Sequence, residues 1–460
     1  MDPEPLRERL TGRVVTRADH DFDAIAFDGL WNRRHPRDRA PEVIARVADE
    51  QDVVEAVNFA RASGLRVAVR GGGHNWCSPS LRAGGLMIDL TALNQVVSID
   101  VEARTAVTQP IVSNRELQAV LNGHGLAYPT GHCPQVKMSG YLLSGGMAWN
   151  PGVWGEGFAS VEAIELVTPQ GELITASEDQ HVDYFWAARG AGSGLFAVAV
   201  RYHLRLHPLP RAIWTRSYHF ALEQADAVGD WLGSISAEVS SAVELTLFLL
   251  DAPPELADRC ESANGKLSMV TATAFCDSEA EARTALEPLA APPVDPLAES
   301  APERTDFPAL FDLSGSMWPE GLRSQVDAQY FDGSPADVVS ATRRHFEGAP
   351  SPRTLLLFAI PTGSPAPAPD AAYSMHGKLY GGPWTMWTEP PDDVPNLEWH
   401  AGCVDLLKPH RVGHYVGESD TVGHPEFAQG AFSPDNWRRL EELRSRHDPD
   451  GLFFGWTDGL

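Results

Sequence analysis

Three consecutive glycines directly after an apolar stretch constrain this chain more than any other feature of its sequence. Residues 65–69 predict a buried strand, and the triplet Gly71, Gly72 and Gly73 follows it, with His74 next. Glycine has no Cβ, so its backbone can adopt positive φ and come close to a ligand. Consecutive N–H groups in such a turn form a concavity that binds anions, and a pyrophosphate fits that shape. The alternative is a tight loop whose histidine has no function.

Neither glycine-rich segment matches the Rossmann fingerprint. That fingerprint is G-x-G-x-x-G, which follows a strand and opens a helix, whereas residues 71–85 continue as a polar loop. The second cluster, residues 189–196, follows the sequence DYFWAA rather than a strand and lacks the third glycine at the required offset. A dinucleotide site of that type is therefore not expected.

The segment 128–157 is a second candidate wall for an extended cofactor site. It has little helical periodicity, many small residues, and the pair His132-Cys133 between a glycine and a proline. A metal site at His74, His132 and Cys133 lacks compact ligand spacing. A protease-like nucleophile at Cys133 lacks a helix start beside it. A cofactor-binding loop is the stronger interpretation.

Length, charge and cysteine content exclude several classes of protein. The 460 residues exceed the usual size of a single core and predict two domains. A formal charge of −26 argues against nucleic acid or an anionic membrane surface as a partner. No apolar run suits a transmembrane helix, no secretory signal is evident, and the five cysteines are widely spaced. A cytoplasmic protein without a disulfide framework is the simplest interpretation.

The pattern of predicted elements changes near residue 213. The elements before it are a helix ending at Gly64, a strand at 65–70, a helix at 114–125 and a hairpin at 160–177. Those after it are helices at 221–235 and 278–291 and strands at 242–250, 266–275, 353–360 and 378–387. The later strands predict an antiparallel sheet covered on one side. A closing helix is predicted from a cap at Ser433 or Asp435 to about residue 445.

Several short motifs occur in an order that resembles the berberine bridge enzyme-like branch of the vanillyl-alcohol oxidase flavoproteins. They are RVAVRGGGHN, GGLMIDLTALNQVVSID, PTGHCPQV, SGYLLSGG, ELVTPQGELITAS, DYFWAARGAGSG and RRLEELRSRHDPDGLF. The resemblance is strong over residues 40–210 and weaker over 373–456. It implies an α+β fold of the PCMH-type FAD-binding class in two domains. FAD-binding parts at 1–212 and 406–460 would flank an inserted substrate domain with an antiparallel sheet at 213–405.

The resemblance also implies a covalently bound flavin. In this family the R-G-G-G-H histidine, matched by His74, is bonded to the flavin 8α-methyl group. The G-x-C-P-x-V cysteine, matched by Cys133, is bonded to flavin C6 where it occurs. We therefore expect FAD attached at both side chains. The residues expected along the cofactor are Arg70, Gly71, Gly72, Gly73, Asn75, Ser139, Gly140, Ser144, Gly145, Gly146, Trp149, Val153, Trp154, Gly155 and Ile164.

The catalytic base is a position at which this chain departs from the family. Many members carry Y-x-N-Y-x-D, whose second tyrosine deprotonates the substrate hydroxyl. This chain reads YVGESD, so Glu418 stands in place of that tyrosine, and Tyr415 and Glu418 are the catalytic candidates. A carboxylate partly desolvated beside the flavin would have a raised pKa and act as a general base. The alternative is an exposed acidic residue in a loop.

The aromatic segment MHGKLYGGPWTMW predicts a wall for the substrate. On a strand, Tyr380 and Trp384 share one face, and Trp387 lies on the other. The predicted substrate-binding residues are His376, Tyr380, Trp384, Trp387 and Tyr141. Ordinary core aromatics are the alternative. Lys137, which stands near the expected flavin, either stabilises the reduced flavin through its charge or points to solvent.

Together these features predict an FAD-dependent oxidoreductase. Its substrate would be a small molecule with a hydroxyl or amine group, such as a secondary metabolite or a glycoside. Glu418 would take the proton, hydride would pass to flavin N5, and O2 would reoxidise the flavin. Two alternatives stay open: a dehydrogenase of the same fold with an organic acceptor, and a flavin-containing protein that sequesters a toxic small molecule. Neither nucleic acid nor membrane is expected as a partner, and the oligomeric state is not predicted.

Overall fold

The computed structural model describes residues 2–27, 29–34, 37–364 and 367–458. Its α-helices are α1 Glu4–Arg7, α2 Phe22–Phe27, α3 Glu50–Ser63, α4 Asn114–Asn122, α5 Met138–Leu143, α6 Pro151–Trp154, α7 Val182–Ala188, α8 Ala225–Ile235, α9 Glu279–Leu286, α10 Phe307–Met317, α11 Pro335–Phe346, α12 Asp393–Leu407, α13 Glu426–Gly430 and α14 Pro434–His447. Its strands are β1 Arg13–Thr16, β2 Val43–Arg46, β3 Val67–Arg70, β4 Leu86–Asp89, β5 Val96–Asp100, β6 Thr105–Thr108, β7 Leu126–Ala127, β8 Val161–Val167, β9 Leu173–Ser177, β10 Val198–Arg205, β11 His207–Pro208, β12 Ala212–Ala221, β13 Val243–Asp251, β14 Lys266–Cys276, β15 Ala298–Glu299, β16 Glu303–Thr305, β17 Arg323–Val326, β18 Gln329–Phe331, β19 Leu355–Ile360, β20 Leu379–Trp387 and β21 Arg411–His414.

A small mixed sheet delivers the glycine triplet to its position. Its strand order is β1-β2-β4-β3, in which β1 runs antiparallel to β2 and the other pairs are parallel. The predicted strand before the glycines is confirmed as β3. The helix α3 packs its apolar face against this sheet and ends at Gly64, which has φ +64°. The glycine supplies the left-handed conformation that such a helix end favours.

A second sheet contains the predicted hairpin. Its order is β5-β6-β10-β8-β9, and all of its pairs are antiparallel. The pairing of β8 with β9 confirms the hairpin.

The helix α4, which precedes the hairpin in the chain, begins with a capping box in which Ser113 and Glu116 bond to each other's backbone N–H. This helix ends at Asn122, three residues before the predicted end.

A large antiparallel sheet follows, with the order β15-β12-β14-β13-β19-β20-β18-β21, to which β16 and β17 are added at β12 and β20. Helices α8, α9, α11 and α12 bury one of its faces in a shared apolar core. Along β13 the residues Leu245, Leu247 and Leu249 point into this core. The alternate residues Glu244 and Thr246 face the opposite way and line a cavity. The predicted antiparallel sheet, covered on one side by helices, is confirmed.

The structure also differs from the sequence analysis in places. The segment 128–157 is not a continuous loop, because α5 and α6 lie within it. These helices have six and four residues, too few to show helical periodicity. Helices α10, α11 and α12 were not predicted. The closing helix α14 is confirmed, with Ser433 as its N-cap.

Two predictions from composition can be compared with the described residues. The five cysteines are all free thiols, in agreement with the absence of a disulfide framework. Within the part of the chain that the structure describes, no helix has both the length and the apolar surface that crossing a bilayer requires. The cytoplasmic location and the domain boundaries at residues 212 and 405 stay predictions.

Candidate active site

A cavity of about 760 Å³ brings together residues from distant parts of the sequence. Its walls include residues 71–76 after β3, parts of the segment 131–144, and the turn 415–418. The face of the large sheet opposite the helices forms a further wall. The cavity therefore combines most of the segments in which the sequence predicted a site.

The backbone of the glycine loop presents a row of free donors. None of the N–H groups of residues 71–75 donates a hydrogen bond to another described residue. Gly71, Gly72 and Gly73 all line the cavity. Adjacent unpaired N–H groups carry partial positive charge and suit an anionic ligand such as a diphosphate.

The glycines also permit close packing within the protein. A Cβ on Gly71 would lie 2.0 Å from Oγ of Ser139, and one on Gly72 would lie 2.3 Å from Cγ of Lys137. These distances are far below van der Waals contact. The glycine loop and the start of α5 therefore approach each other more closely than any other residue type allows. The side chain of Lys137 also makes an ion pair of 3.6 Å with Glu116.

His74 lies in an aromatic environment that the sequence analysis did not identify. Its ring stacks on Trp31 with a centroid distance of 4.0 Å and an interplanar angle of 23°. Burial lowers the pKa of His74 to about 3, and the charge of Lys137 acts in the same direction. Nε2 is buried and has no hydrogen-bond partner among the described residues. The imidazole is therefore neutral at physiological pH and has an uncommitted ring nitrogen.

Cys133 lies in a loop whose backbone is held by two hydrogen bonds from side chains elsewhere in the chain. Nδ2 of Asn114 donates to the carbonyl oxygen of Cys133 at 2.9 Å. Oγ of Ser314 donates to the carbonyl oxygen of His132 at 2.8 Å. Burial raises the pKa of the Cys133 thiol to about 12, and the nearby Glu418 carboxylate contributes. The thiol lines the cavity in its neutral form.

Glu418 is not the exposed loop acid of the alternative interpretation. It is partly buried, lines the cavity, and accepts a hydrogen bond at Oε2 from the hydroxyl of Tyr380. Burial raises the pKa of its carboxyl group, while the Tyr380 hydrogen bond and the charge of His132 oppose that rise. Oε1 makes no hydrogen bond to another described residue. One carboxylate oxygen is therefore oriented, and the other is free to receive a proton.

Tyr415 is placed as a buried phenol beside this carboxylate. Its hydroxyl accepts the backbone N–H of Gly146 at 3.3 Å, and its ring lies edge-on to that of Tyr380 at 5.8 Å. Burial raises the pKa of Tyr415, and the Glu418 carboxylate raises it further. Tyr415 therefore remains protonated at physiological pH and is a poor candidate for the base.

A histidine–glutamate pair in the cavity was not predicted as a unit. Nε2 of His132 contacts Oε1 of Glu244 on β13, and the backbone N–H of Asn150 donates to Oε2 at 3.2 Å. Burial alone would lower the pKa of His132, but the Glu244 carboxylate reverses the effect and raises it. The sequence signal that could have placed Glu244 in the cavity is the period-two alternation along β13. It puts Glu244, Thr246 and Phe248 on one face of the strand.

Comparison with known proteins identifies the type of fold and cofactor. Residues 41–177 match the family model of the FAD binding domain. The FAD-linked oxidoreductase nodO of Hypoxylon pulicicidum is 27% identical over 93% of this chain and 92% of its own length. The chain belongs to the PCMH-type FAD-binding superfamily. The berberine bridge enzyme-like proteins are members of this superfamily, so the family prediction and the predicted class of FAD-linked oxidoreductase are confirmed.

Further comparisons within the superfamily are consistent with this assignment. The (R)-6-hydroxynicotine oxidase of Paenarthrobacter nicotinovorans is 31% identical over 54% of this chain and 50% of its own. The solved structure of a berberine bridge enzyme-like protein of Physcomitrella patens superposes with a TM-score of 0.84 at 17% identity. The superposition covers 100% of this chain and 99% of the Physcomitrella chain. At this identity the likeness concerns the fold, and the predicted PCMH-type fold class is confirmed.

Most of the residues predicted for this FAD-binding fold meet at the cavity. Those that line it are Gly71, Gly72, Gly73, His74, Asn75, Cys133, Ser139, Gly140, Tyr141, Ser144, Trp149, Tyr380, Trp384, Tyr415 and Glu418. The predicted residues outside its wall are Arg70, Gly145, Gly146, Val153, Trp154, Gly155, Ile164, His376 and Trp387.

Two of the predicted substrate residues point away from the cavity. Trp387 lies on the opposite face of β20 from Tyr380, and its Nε1–H donates to Asp393 at 2.7 Å. His376 packs edge-on against Tyr373 at 5.2 Å. Strand alternation explains the position of Trp387, as the sequence analysis anticipated, whereas His376 precedes the strand and follows no alternation.

Arg70 holds the end of strand β3, directly before the glycine loop. It is buried, and its guanidinium forms an ion pair of 2.7 Å with the buried Asp89 on β4. The same guanidinium donates to the carbonyl oxygens of Ile25 and Ala26 at 2.6 and 3.0 Å. With these partners it holds the end of β3 rather than reaching the cavity.

Proposed function

We propose that the protein is an FAD-linked oxidoreductase that oxidises a C–H group next to a hydroxyl or amine of a small molecule, with Glu418 as the general base. The observation that supports this is the pairing of Glu418 with Tyr380 in the same cavity as His74 and Cys133. A desolvated carboxylate with one free oxygen is suited to accept a proton from the substrate.

The cofactor would be held covalently by His74 and Cys133. Several features of the site suit FAD: the free nitrogen of His74, the thiol of Cys133, and the unpaired N–H groups of residues 71–75 for its diphosphate. Bound FAD supplies the two-electron acceptor that amino-acid side chains lack. The protein contributes position and charge.

Glu418 would act through two distinct oxygens. Tyr380 holds Oε2 by a hydrogen bond, which orients the carboxylate and prevents it from turning toward solvent. Oε1 would then receive the proton of the substrate hydroxyl or amine. Because burial raises the pKa of Glu418, its ionised form is a stronger base than an exposed glutamate. The neutral phenol of Tyr415 fills the space on the other side of this pair.

The face of the large sheet would bind the rest of the substrate. Pairing of the strands aligns Ser217, Thr271, Thr246, Ala359 and Tyr380 in one row, and His219, Met269, Phe248 and Leu357 in the next. The first row is mainly polar and leads to Glu418, while the second is mainly apolar. Thr246 and Thr271 both line the cavity. This surface suits a molecule with an apolar skeleton and hydrogen-bonding groups along one edge.

O2 would be the electron acceptor. A relative over about half of the chain is named an oxidase and has an amine, 6-hydroxynicotine, in its name. That likeness supports both an oxidase and an amine or alcohol substrate. Reoxidation in air, compared with reoxidation by a dye under argon, separates an oxidase from a dehydrogenase.

The test is anaerobic reduction of the protein-bound flavin by a panel of amines and alcohols, in wild type and in Glu418→Gln. We expect at least one compound to bleach the flavin band in wild type and Glu418→Gln to slow that reduction by about 100-fold or more. Glu303→Gln is the matched control, since Glu303 lines the same cavity but is exposed. Equal rates in wild type and Glu418→Gln would rule out Glu418 as the base. Failure of every compound in wild type would favour a protein that sequesters its ligand.

A further inference from the structure

A buried carboxylate, that of Asp327, connects the turn that carries Glu418 to helix α12. Asp327 lies between β17 and β18 and is 1% exposed. Its Oδ1 accepts the backbone N–H of Asp420 at 2.9 Å, and its Oδ2 lies 3.0 Å from Nε2 of His400 on α12. Nδ1 of His400 lies 2.8 Å from Oγ1 of Thr385 on β20. The side chains of Asp327, His400 and Thr385, which form this hydrogen-bonded network, are all buried.

The residue after Asp327 binds the same turn at two more points. The carbonyl oxygen of Ala328 accepts the backbone N–H of Tyr415 at 3.0 Å and Oγ of Ser419 at 2.9 Å. On the cavity side, Nδ2 of Asn75 donates to the carbonyl oxygen of Gly417 at 2.9 Å. The backbone on both sides of Glu418 is therefore fixed, and only its side chain is left to reach the cavity.

The two ends of this arrangement lie on one strand. Tyr380, the hydrogen-bond donor to Glu418, and Thr385, the far end of the buried chain, both belong to β20. The turn is thus attached to β20 directly through the Glu418 side chain and indirectly through Asp327. Two attachments to one rigid element define the distance between the Glu418 carboxylate and the Tyr380 hydroxyl.

We propose that Asp327, oriented by His400 and Thr385, is a positioning residue that holds the turn 415–420 so that Glu418 stays paired with Tyr380. None of the three lines the cavity, so they act through the turn and do not touch the substrate. The importance of this for catalysis rests on the proposed function of Glu418 as the base. The proposal that Asp327 holds the turn does not depend on that function.

Two substitutions of Asp327 by residues of similar size distinguish the effect of losing its hydrogen bonds from the effect of changed packing. Asp327→Asn keeps an oxygen acceptor for the N–H of Asp420, and its amide can donate to Nε2 of His400 if Nδ1–H then donates to Thr385. Asp327→Leu removes both bonds. Asp52→Leu is the control for the loss of a buried carboxylate, because Asp52 accepts three backbone N–H groups at 2.8 Å in a different part of the molecule.

The first measurement is hydrogen exchange of the backbone amides of residues 415–424, followed by mass spectrometry in the FAD-loaded protein. Loss of the Asp327 hydrogen bonds is expected to accelerate exchange of the Asp420 amide roughly tenfold in Asp327→Leu. Asp327→Asn is expected to exchange at about the wild-type rate. Asp52→Leu lowers global stability without a selective change in this segment.

The second measurement is a pH titration of the visible flavin spectrum, in which the transition abolished by Glu418→Gln is assigned to Glu418. The titratable groups that face Glu418 are Tyr380, His132, Cys133, Tyr415 and Tyr330, and all variants retain them. In Asp327→Leu we expect the pKa of Glu418 to fall toward the ordinary glutamate value of 4.5, because a released turn exposes the carboxylate. Asp327→Asn should restore the wild-type titration, and Asp52→Leu should not change it.

The outcomes separate this inference from the proposed function. Wild-type exchange and wild-type titration in Asp327→Leu overturn the inference. Faster exchange, together with no Glu418-dependent transition even in wild type, supports the hold on the turn and contradicts the proximity of Glu418 to the flavin. If Asp327→Leu does not fold, Thr385→Val removes only the far hydrogen bond. It is expected to change both readouts in the same direction by a smaller amount, and no change overturns the inference.

Discussion

The hydroxyl of Tyr380 donates to Oε2 of Glu418, although the two residues are 38 positions apart and belong to a strand and a turn. Two opposing effects therefore determine the pKa of Glu418. Burial destabilises the carboxylate and raises the pKa, whereas the phenol hydrogen bond, together with the charge of His132, stabilises the carboxylate and lowers it. The balance of these effects sets the pH at which Glu418 can accept a proton.

Tyr380→Phe is expected to shift the acidic limb of the rate of flavin reduction to higher pH. The variant removes the hydrogen bond that lowers the pKa of Glu418 and leaves the burial that raises it. Because the base must be ionised, the rate rises with pH through this pKa, and the limb should move up by about one pH unit. Stopped-flow reduction across the pH range measures it. Tyr218→Phe, on the helix-covered face of the sheet, is the control, and a downward shift would contradict the assignment.

Removal of the two proposed attachment residues is expected to have separate effects. His74→Ala and Cys133→Ala should each keep FAD through the remaining bond, so that the acid-precipitated protein stays yellow. The double variant should release all its FAD into the supernatant. Mass spectrometry of the intact protein and of its peptides identifies the modified side chain. Cys276→Ser, which changes another free cysteine, should bind FAD like wild type. Unmodified His74 and Cys133 in the wild-type protein would exclude covalent attachment.

Gly73→Ala is expected to destabilise the protein by about 2–4 kcal/mol. Gly73 has φ +67°, and a Cβ there would lie 2.4 Å from the carbonyl oxygen of Gly29. Both the backbone strain and the clash with a backbone atom are unfavourable. Urea denaturation compares it with Gly348→Ala, where the nearest atom lies at an ordinary 3.6 Å. Equal midpoints for the two variants would show that the loop adapts.

Glu244→Gln is expected to lower the pKa of His132. The Glu244 carboxylate is the main group that raises that pKa against the effect of burial, with a smaller contribution from Glu418, so the neutral amide leaves burial as the dominant influence. His132 should then be neutral over a wider range of pH. NMR of protein labelled at the histidine ring carbons, with His132→Gln to assign the signal, provides the measurement. An unchanged titration would show that His132 and Glu244 do not interact in solution.

The sequence predicts well those parts of the fold whose signals are local. The helix α3 has apolar periodicity and a terminal glycine, so its end was predicted correctly, and β3 is an apolar run that was found within two residues of its actual limits. The short helix α5 carries too few residues for a periodic pattern. Trp31, which stacks on His74, could not be assigned to the site because it is brought there by tertiary contacts between distant segments.

The same distinction applies to the site itself. Order and identity of motifs were sufficient to select His74, Cys133 and Glu418, all of which line one cavity. The partners that control their chemistry come from elsewhere in the chain. Asp327 sits between two short strands that carry little signal, and its hydrogen bonds with Asp420 and His400 exist only after folding. Pairwise contacts of this kind have no pattern within a single sequence.

The edge of β3 pairs with a segment far along the chain. The N–H of Val67 donates to the carbonyl oxygen of Leu452 at 2.7 Å, and the N–H of Phe454 donates to that of Val67 at 3.0 Å. The ribosome therefore adds roughly 385 residues after this strand before its neighbour exists. A nascent polypeptide cannot complete the wall beneath the glycine loop until that downstream stretch, whose Phe453 and Phe454 line the cavity, has emerged from the exit tunnel.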